Sequence, residues 1–506
     1  MKKIFLFCDT IIIDFILGAT KKLYNEDYQI FLQCEKLETK KIIVEFLTKE
    51  KINDKVKVYC LNEYLTENFK KFTFEKKDFL DFENRYQTNL SELNISVSEF
   101  NIYHNYFDYY KDKIDLNYHS KAKLLLIEKF YKKNFDNLEL DCVFVECPNH
   151  FKTISGVLYF QKRKISCYTY ISSMYPEFFT INRVKDNLNP FLEHFYNLED
   201  SNINIQKNLN LDLTNFEANR DKNDREKDYL NDRKKSLNKN IIRLALEYFR
   251  KFQLFNSKLL LENFYLSKTH PIDLIKLRLK KIINKKNYFK LINQKISEEI
   301  HDSKTCIFFL GLSPESSTYG QCNIFFDQSK VVRFIAMKLP SDYQLIVKEH
   351  PSQYISSDGR DLNFYKKILS HNNVKLAKTS DKAIDLINKS EFVITSTGTV
   401  GFESIILKKP LIMLGENYYK IYKNVFKSPD FNSLEKNIKT LTQKTFVYDE
   451  ENDEMIKLFN SYKRSLFSGN LNIFFKKHYL TKKEYEIRIN QISNSIVKII
   501  NKLTVQ

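Results

Sequence analysis

Short apolar runs alternate with helical stretches in two separate parts of the chain, and this alternation constrains the fold more than any other feature. The strand-like runs are residues 3–8, 28–33, 56–59, 141–145 and 164–171 in the first part, and 305–310, 344–348, 374–377, 391–394 and 411–414 in the second. Strand–helix alternation is typical of parallel α/β sheets. The sequence therefore predicts a parallel α/β sheet in each half.

The length of the chain sets the number of domains. With 506 residues, 43% of them hydrophobic, the chain can form two domains with cores of their own. We expect four regions: an amino-terminal domain, a charged linker followed by a basic helical region, a second α/β domain, and carboxyl-terminal helices. Their bounds are 1–183, 184–300, 301–440 and 441–506. Within the first domain, residues 172–183 are interpreted as a loop.

A hydroxyl-rich turn follows one of the apolar runs in the second half. Ser396, Thr397, Gly398 and Thr399 stand between the run at 391–394 and a helical pattern. Backbone N–H groups at a helix start lack partners within the helix and carry partial positive charge, so such a turn can bind a phosphate. The same residue types also make an ordinary helix N-cap.

A second polar turn lies about fifty residues upstream. The run at 344–347 leads directly into Lys348, Glu349, His350 and Pro351. Both turns therefore come just after the carboxyl ends of strands, the edge where open parallel sheets bind ligands. A cation, an imidazole and a hydroxyl-rich helix start at one edge predict a site for a diphosphate or phosphodiester.

The first half offers an acid and base pair in the same position. Glu146 and His150 follow the run at 141–145, and Asp9 follows the first run. A carboxylate and an imidazole four residues apart suit proton transfer. The alternative is that Glu146 caps the following helix and His150 packs against it.

The net charge of +18 favours anionic partners, although the Lys-rich and Asn-rich composition of the whole chain contributes to it. We expect no nucleic-acid partner, because the basic residues are dispersed and form no known nucleic-acid motif. Residues 274–283 form a basic amphipathic pattern that suits an anionic membrane surface, and a solvated helix face gives the same pattern. We expect a cytoplasmic protein with peripheral contact to the inner membrane.

No metal site is expected. The eight cysteines are scattered and interpreted as free thiols, and Cys142, Cys147 and His150 lack a fourth ligand nearby in sequence. We likewise expect no cofactor beyond the substrate that carries the transferred group.

Six short motifs in order make the second half resemble the capsule polysaccharide biosynthesis family over roughly residues 305–420. They are Pro314-Glu315-x-Ser317-Thr318, Asp327-Gln328, Leu339-Pro340, Lys348-Glu349-His350-Pro351, Ser396-Thr397-x-x-x-Gly401-x-Glu403 and Lys409-Pro410. That family contains the Kdo transferases of capsule assembly and is similar in layout to bacterial sialyltransferases with His-Pro and Ser/Thr motifs. The resemblance implies a GT-B fold, in which two Rossmann-like domains face a cleft with the acceptor on the first and the sugar nucleotide on the second.

The resemblance also assigns roles to the matching residues. His350 would contact the donor phosphate with Lys348 nearby, Ser396 and Thr397 would hydrogen-bond phosphate, and Glu403 would bind ribose hydroxyls. Glu315 and Gln328 would shape the donor pocket. The remaining residues of the implied nucleotide-sugar site are Ser317, Pro351, Gly398 and Thr399.

The resemblance, taken with these features, implies an inverting, metal-independent glycosyltransferase. The donor it implies is a CMP-linked sugar, Kdo or another nonulosonic acid, and the implied acceptor is a surface polysaccharide or lipid-linked glycan. The sequence has no Asp-x-Asp motif, which fits a reaction without metal. His350 would stabilise the departing phosphate, and Glu146, with Asp9 in reserve, would deprotonate the acceptor hydroxyl.

Other functions fit parts of the same pattern. The acidic Asp-Gly or Glu-Gly element of better-known relatives is not visible before residue 200. A CDP-glycerol glycerophosphotransferase of teichoic-acid type and a sugar-nucleotide 2-epimerase share the two-domain fold. A non-catalytic scaffold of capsule assembly would keep the nucleotide pocket without a base.

Overall fold

The computed structural model describes residues 1–9, 12–97, 115–173, 175, 177–198, 261–262, 264–266, 283, 304–313, 320–351, 353, 360, 362–378, 380–443, 452–473, 477 and 480–505. Most of the predicted linker and helical region at 184–300 lies outside these residues, and so does the basic pattern at 274–283 apart from Ile283. The described part of this region includes the helix Pro190–Leu198 and a short segment at 261–262 and 264–266. That short segment is held by the buried Lys123, whose Nζ donates to the Phe264 carbonyl at 3.0 Å.

The first domain is built on a sheet of seven strands. In chain order they are β1 (Lys2–Phe7), β2 (Tyr28–Cys34), β3 (Val56–Cys60), β4 (Cys142–Val145), β5 (Ser166–Ser172), β6 (Phe178–Arg183) and β13 (Phe467–Ser468). Their order across the sheet is β13-β6-β5-β4-β1-β2-β3. Strands β1 to β5 are parallel, while β6 runs antiparallel to both β5 and β13.

Helices cover both faces of this sheet. They are α1 (Ile13–Asn25), α2 (Leu37–Glu50), α3 (Leu61–Asn68), α4 (Lys76–Tyr86), α5 (Leu90–Ser96), α6 (Leu116–Phe135) and α7 (Phe151–Lys162). One face packs into an aromatic core around Phe5, Phe135 and Phe160, and the other packs Ile4 and Leu6 against α1. Alternate strand residues thus serve opposite faces, as a sheet covered on both sides requires.

The loop predicted over residues 172–183 is wrong, because β6 occupies its second half. Phe179 and Ile181 of β6 are fully buried on one face of the sheet. Their alternation with polar residues is the ordinary strand pattern. Pro176 favoured the loop interpretation in the sequence, yet β6 pairs antiparallel with β5.

The second domain is built on a sheet of six parallel strands. They are β7 (Lys304–Phe309), β8 (Tyr343–Lys348), β9 (Val374–Leu376), β10 (Phe392–Thr395), β11 (Leu411–Met413) and β12 (Val425–Lys427), in the order β12-β11-β10-β7-β8-β9. The helices around it are α9 (Gln328–Lys338), α10 (Leu362–Ile368), α11 (Ala383–Lys389), α12 (Val400–Ile406) and α13 (Phe431–Thr442), with short 3₁₀ turns at Asn323–Phe326 and Tyr418–Ile421.

The end of the chain joins the two domains. Helix α14 (Asn452–Arg464) packs Leu458, Phe459 and Tyr462 into the second domain's core and also contacts α8 (Pro190–Leu198). The chain then returns as β13 and α15 (Lys482–Val505), which packs on α1. Two α/β sheets, the first mainly and the second wholly parallel, with a carboxyl-terminal helix that crosses back to the first domain, form the GT-B arrangement, so the predicted fold class is confirmed.

The crossover is fixed by a buried polar contact. The fully buried Asn189 donates from Nδ2 to Thr180 Oγ1 at 2.7 Å and to Ser465 Oγ at 2.9 Å. Its Oδ1 accepts from the main-chain N–H groups of Phe191 and Leu192 at the start of α8. One amide therefore ties β6 of the first domain to the end of α14.

Candidate functional site

The strand order of the second sheet brings the predicted phosphate-binding residues to one edge. Strand β7 lies between β10 and β8, and the chain leaves it toward β8 before it later crosses to β10. This reversal makes a crevice at the carboxyl ends of the strands. Ser396 follows β10 and His350 follows β8, so both lie at this crevice.

A chain of buried side chains connects these positions. Gln328, the first residue of α9, donates from Nε2 to Ser396 Oγ at 3.2 Å. Its Oε1 accepts from the guanidinium of Arg360. Arg360 also donates to the carbonyl of Gly311, just after β7, at 2.5 Å. Ser396 is therefore held from the side of β7 and β8 as well as by its own strand.

Arg360 meets a buried carboxylate at the other end of this network. It forms an ion pair with Glu349, whose side chain is fully shielded from solvent. Glu349 Oε1 also accepts the His350 main-chain N–H at 2.7 Å, and Oε2 accepts from Tyr365 Oη at 2.6 Å. Burial raises the pKa of Glu349, and the Arg360 charge opposes part of that rise. The carboxylate thus fixes the main chain that carries His350.

His350 has a strongly perturbed pKa. Burial, and secondarily the charge of Arg360, lower the pKa of the imidazole to about 4. The ring is therefore neutral near pH 7 and can donate one N–H hydrogen bond without carrying a charge. A phosphate at this position would be met by a neutral donor.

The hydroxyl-rich turn is held by its main chain. The Gly398 N–H donates to Thr395 Oγ1 at 3.3 Å, and the Gly398 carbonyl accepts from Tyr419 Oη at 2.8 Å. Asn417 Nδ2 donates to the Thr397 carbonyl at 2.6 Å. Thr399 directly precedes α12 and caps it without a side-chain hydrogen bond, so the N-cap role that competes with ligand binding is not filled by this hydroxyl.

The other predicted donor-site residues are placed as follows. Lys348 is buried and donates from Nζ to the Lys378 carbonyl after β9 at 2.5 Å. Pro351 is half-buried directly after His350, and Glu403 is buried in the first turn of α12. Glu315 and Ser317 lie outside the described residues.

A second cluster of charges lies at the carboxyl edge of the first sheet. Lys152, near the start of α7, places Nζ 2.8 Å from Asp9 Oδ2 and 3.7 Å from both Glu35 Oε2 and Glu146 Oε2. These carboxylates follow β1, β2 and β4, and β1 and β4 are neighbours at the reversal of the strand order. The structure therefore brings Asp9 and Glu146 together and adds Lys152 and Glu35.

The structure excludes the alternative that Glu146 caps the helix that follows it. Glu146 does not cap α7, because the residue at the N-cap is His150, whose main-chain N–H donates to Thr153 Oγ1 at 3.3 Å. The Glu146 carboxylate instead turns toward Lys152, whose ammonium attracts it. The three carboxylates in turn raise the pKa of Lys152 well above its usual range, against the opposing effect of burial.

Contacts between the domains place the two edges on opposite sides of one crevice. Asn149, in the loop between Glu146 and α7, packs so closely on Gly320 that a Cβ at that glycine would lie 1.8 Å from Asn149 Nδ2. The next residue, Gln321, accepts the Glu416 N–H at 3.2 Å. Gly415 in turn donates its N–H to the Ser396 carbonyl at 2.9 Å. Three short steps thus lead from the Lys152 cluster to the Ser396 turn.

Sequence reasoning missed Arg360, Lys152 and Glu35. Glu35 carried a usable signal, because it directly follows an apolar run that ends at the same sheet edge as Asp9. Lys152 lies two residues past His150 in a helix, and Arg360 lies outside every strand end. Their roles depend on packing that brings separate loops together.

No group of three or more His, Cys, Asp or Glu side chains in the described ranges is placed to bind a metal ion. Within the helices that the structure describes, none is long and apolar enough to cross a membrane.

Comparison with known proteins supports the motif interpretation. Residues 314–423 match the family model of the capsule polysaccharide biosynthesis protein. The predicted resemblance is thereby confirmed for the part of the second domain that carries the Ser396 and His350 turns. No curated protein sequence matches the chain.

Solved structures with similar features include glycosyltransferases and epimerases. A β-Kdo 2,4-transferase, KpsC of Thermosulfurimonas dismutans, is 10% identical over 64% of this chain and 79% of its own, with a TM-score of 0.29. The UDP-GlcNAc 2-epimerase of Methanocaldococcus jannaschii is 14% identical over 91% and 99%, with a TM-score of 0.24. The glycosyltransferase GlyE of Streptococcus pneumoniae TIGR4 is 11% identical over 87% and 99%, with a TM-score of 0.19. Scores this low establish no shared mechanism.

Proposed function

We propose that the protein is a glycosyltransferase that moves a nonulosonic acid such as Kdo from a CMP-linked donor to a glycan or lipid-linked glycan in capsule synthesis. The observation that supports this most is the convergence of Ser396 and His350 at one sheet edge, opposite a carboxylate cluster. The family match covers the donor side of this arrangement.

The donor phosphate would bind between the Ser396 turn and the neutral His350 ring. Hydroxyl, amide and imidazole donors placed before the reaction stabilise charge as it develops on a leaving phosphate. His350 would donate its N–H, and the Ser396 hydroxyl, held in place by Gln328, would supply a further contact. This set of donors suits departure of CMP without a metal ion.

The acceptor hydroxyl would be deprotonated by Glu146. Of the two predicted bases, Asp9 lies 2.8 Å from Lys152 Nζ and is 7% exposed, whereas Glu146 lies 3.7 Å away and is 24% exposed. Glu146 is thus more accessible to an acceptor and less committed to the ion pair. As the acceptor oxygen forms its bond to the sugar, its proton passes to Glu146, and the bond from sugar to phosphate breaks to release CMP.

This direct displacement inverts the anomeric centre, and inversion is part of the proposal. The reaction would take place in the cytoplasm, where nucleotide sugars are made, with the basic segment at 274–283 resting on the inner membrane.

The test is release of CMP from CMP-Kdo and from CMP-sialic acid, with and without an acceptor oligosaccharide, in the presence of a chelator. We expect acceptor-dependent release that falls at least a hundredfold in Glu146→Gln, the size of effect that general-base catalysis supplies. Asp9→Asn serves as the matched variant on the same lysine. Unchanged turnover in Glu146→Gln would remove it as the base, and a product of retained configuration would contradict direct displacement.

A glycerophosphotransferase would instead consume CDP-glycerol and leave both CMP-sugars intact. Binding of nucleotide with no turnover of any of the three donors would favour the scaffold.

A further inference from the structure

Arg360 lies at the centre of the buried network behind the Ser396 turn and belongs to none of the sequence motifs. Arg360 is 5% exposed and contacts three separate segments: Gly311 after β7, Gln328 at the start of α9, and Glu349 after β8. A guanidinium has donors fixed in one plane, so it can hold several acceptors in a set geometry.

The contacts of Arg360 lead to both groups that would face the donor phosphate. Through Gln328 they reach Ser396 Oγ, because the amide that accepts from Arg360 donates with its other end. Through Glu349 they reach the main-chain N–H of His350. Neither path requires Arg360 to touch the ligand itself.

The network leaves its polar groups little freedom to move. Gln353 accepts the Ser313 N–H at 2.8 Å and donates to the Ser313 carbonyl at 2.8 Å, and it lies 3.4 Å from Arg360. Tyr365 fixes the second oxygen of Glu349. A binding site gains affinity when such surrounding contacts hold its groups in place beforehand.

We propose that Arg360 is a positioning residue of the donor site, which orients the Ser396 hydroxyl through Gln328 and the His350 main chain through Glu349. This inference rests on the proposed function, since it assumes that Ser396 and His350 bind the donor nucleotide. It goes further in making one buried side chain responsible for the geometry of both.

Gln328→Glu isolates the first path. The carboxylate keeps the size of the side chain and still accepts from Arg360, but it loses the N–H that Gln328 donates to Ser396. CMP affinity is measured by calorimetry for the wild type, Gln328→Glu, Ser396→Ala and the double variant. We expect Gln328→Glu to bind CMP about tenfold more weakly, and we expect no further loss when it is added to Ser396→Ala.

If Gln328→Glu weakens CMP binding by the same factor when it is added to Ser396→Ala, the new charge and not the contact with Ser396 weakens binding. That result would overturn the inference. The melting temperature of each variant is recorded so that a folding defect is not counted as a binding defect. If the wild type does not bind CMP at all, the proposed function fails rather than the positioning role.

The second path is tested without a nucleotide. Selective ¹³C labelling of histidine allows the His350 ring to be titrated by NMR, with His350→Ala to assign its signal. Loss of a fixed cation near the ring should raise the His350 pKa in Arg360→Gln and leave it unchanged in Lys378→Gln, a nearby lysine whose main chain contacts Lys348. An unchanged titration in Arg360→Gln would contradict the placement of Arg360 beside His350.

Arg360→Ala provides a rescue experiment. Methylguanidinium at millimolar concentration should restore part of the CMP affinity of this variant by occupying the space of the missing side chain, and should not affect Gln328→Glu. No restoration in a variant whose melting temperature the additive does raise would overturn the inference, because the fold would then be repaired without the site.

Discussion

The two sheet edges that face each other hold charge in different ways. At the second sheet, Arg360 and Glu349 form a buried pair whose remaining atoms are engaged by Gln328, Tyr365 and main-chain groups. At the first sheet, one lysine is shared by three carboxylates that are 7 to 24% exposed. The first arrangement balances charge and fixes geometry, while the second leaves negative charge that a substrate can reach.

The two edges therefore suit different steps of the proposed reaction. A closed network suits residues that must present donors to a phosphate in one geometry. An open cluster with surplus carboxylates suits proton transfer, because an accessible carboxylate can accept a proton. Removing a carboxylate from the second edge should therefore mainly reduce stability, whereas removing one from the first edge should mainly reduce activity.

The largest difference should come from removing one carboxylate at each edge. Glu349→Gln leaves the buried Arg360 without its counter-charge, which typically costs about 3–5 kcal/mol. Glu146→Gln removes one of three negative charges around a single lysine and should change the free energy of unfolding by less than about 1 kcal/mol. The chain has no tryptophan, so urea unfolding followed by far-UV circular dichroism measures the free energy of unfolding of both variants. Equal losses would show that the two edges are built alike.

The pH dependence of stability should report His350. Its pKa is about 4 in the folded protein and is near 6.5 when the ring is exposed, so the unfolded chain binds the proton first as the pH falls. The contribution of this ring is full above pH 6.5 and is lost between pH 6.5 and 4, by at most about 3 kcal/mol. In His350→Gln the stability curve should be flatter in this window. An identical curve would contradict the burial of the ring.

Replacing Gly401, at the second edge, should destabilise the protein more than replacing the nearby Gly398. A Cβ at Gly401 would lie 2.5–2.8 Å from the rigid Tyr419 ring, whereas a Cβ at Gly398 would approach its nearest neighbour at 3.1 Å. We expect Gly401→Ala to cost about 1–3 kcal/mol, as overpacking does. Gly398→Ala should cost clearly less. Thermal melting of both variants checks the order, and the reverse order would contradict the packing of Tyr419.

The smallest effect should come from the contact between the edges. Gly320→Ala must displace the Asn149 side chain, which lies in a loop and can move. We expect less than about 1 kcal/mol in stability, as for most surface changes. Because Asn149 can move aside, small-angle scattering should match that of the wild type. A wider separation of the domains, or a loss of stability above about 1 kcal/mol, would show that Asn149 is held in place.

The sequence predicted the parts of this molecule that depend on local pattern. The apolar runs before Ser396 and His350 identified strands β10 and β8, and the polar residues after them were placed at one edge because parallel strands end together. The family match over residues 314–423 agrees with those motifs. Asp9 and Glu146 were likewise placed at one edge of the first sheet because each follows an apolar run.

What the sequence did not predict depends on contacts between distant segments. Arg360 reaches Gln328 and Glu349 only after α9 and β8 have packed, and no periodicity marks it. Strand β6 is the exception, because its pairing with β5 is local; it was missed because Met174, Tyr175 and Pro176 favoured a loop in the sequence. The assignment of Glu146 as a cap failed because a lysine six residues later competes for the same carboxylate.

We propose that the edge formed by Ser396 and His350 binds the nucleotide of a CMP-linked donor. The most direct measurement is thermal stabilisation by CMP, CDP, UDP, GDP and ADP, on the wild type and on His350→Ala, because a ligand that binds only the folded state raises its melting temperature. We expect stabilisation by CMP that His350→Ala abolishes. Stabilisation by UDP alone, or CMP stabilisation that persists in His350→Ala, would contradict it.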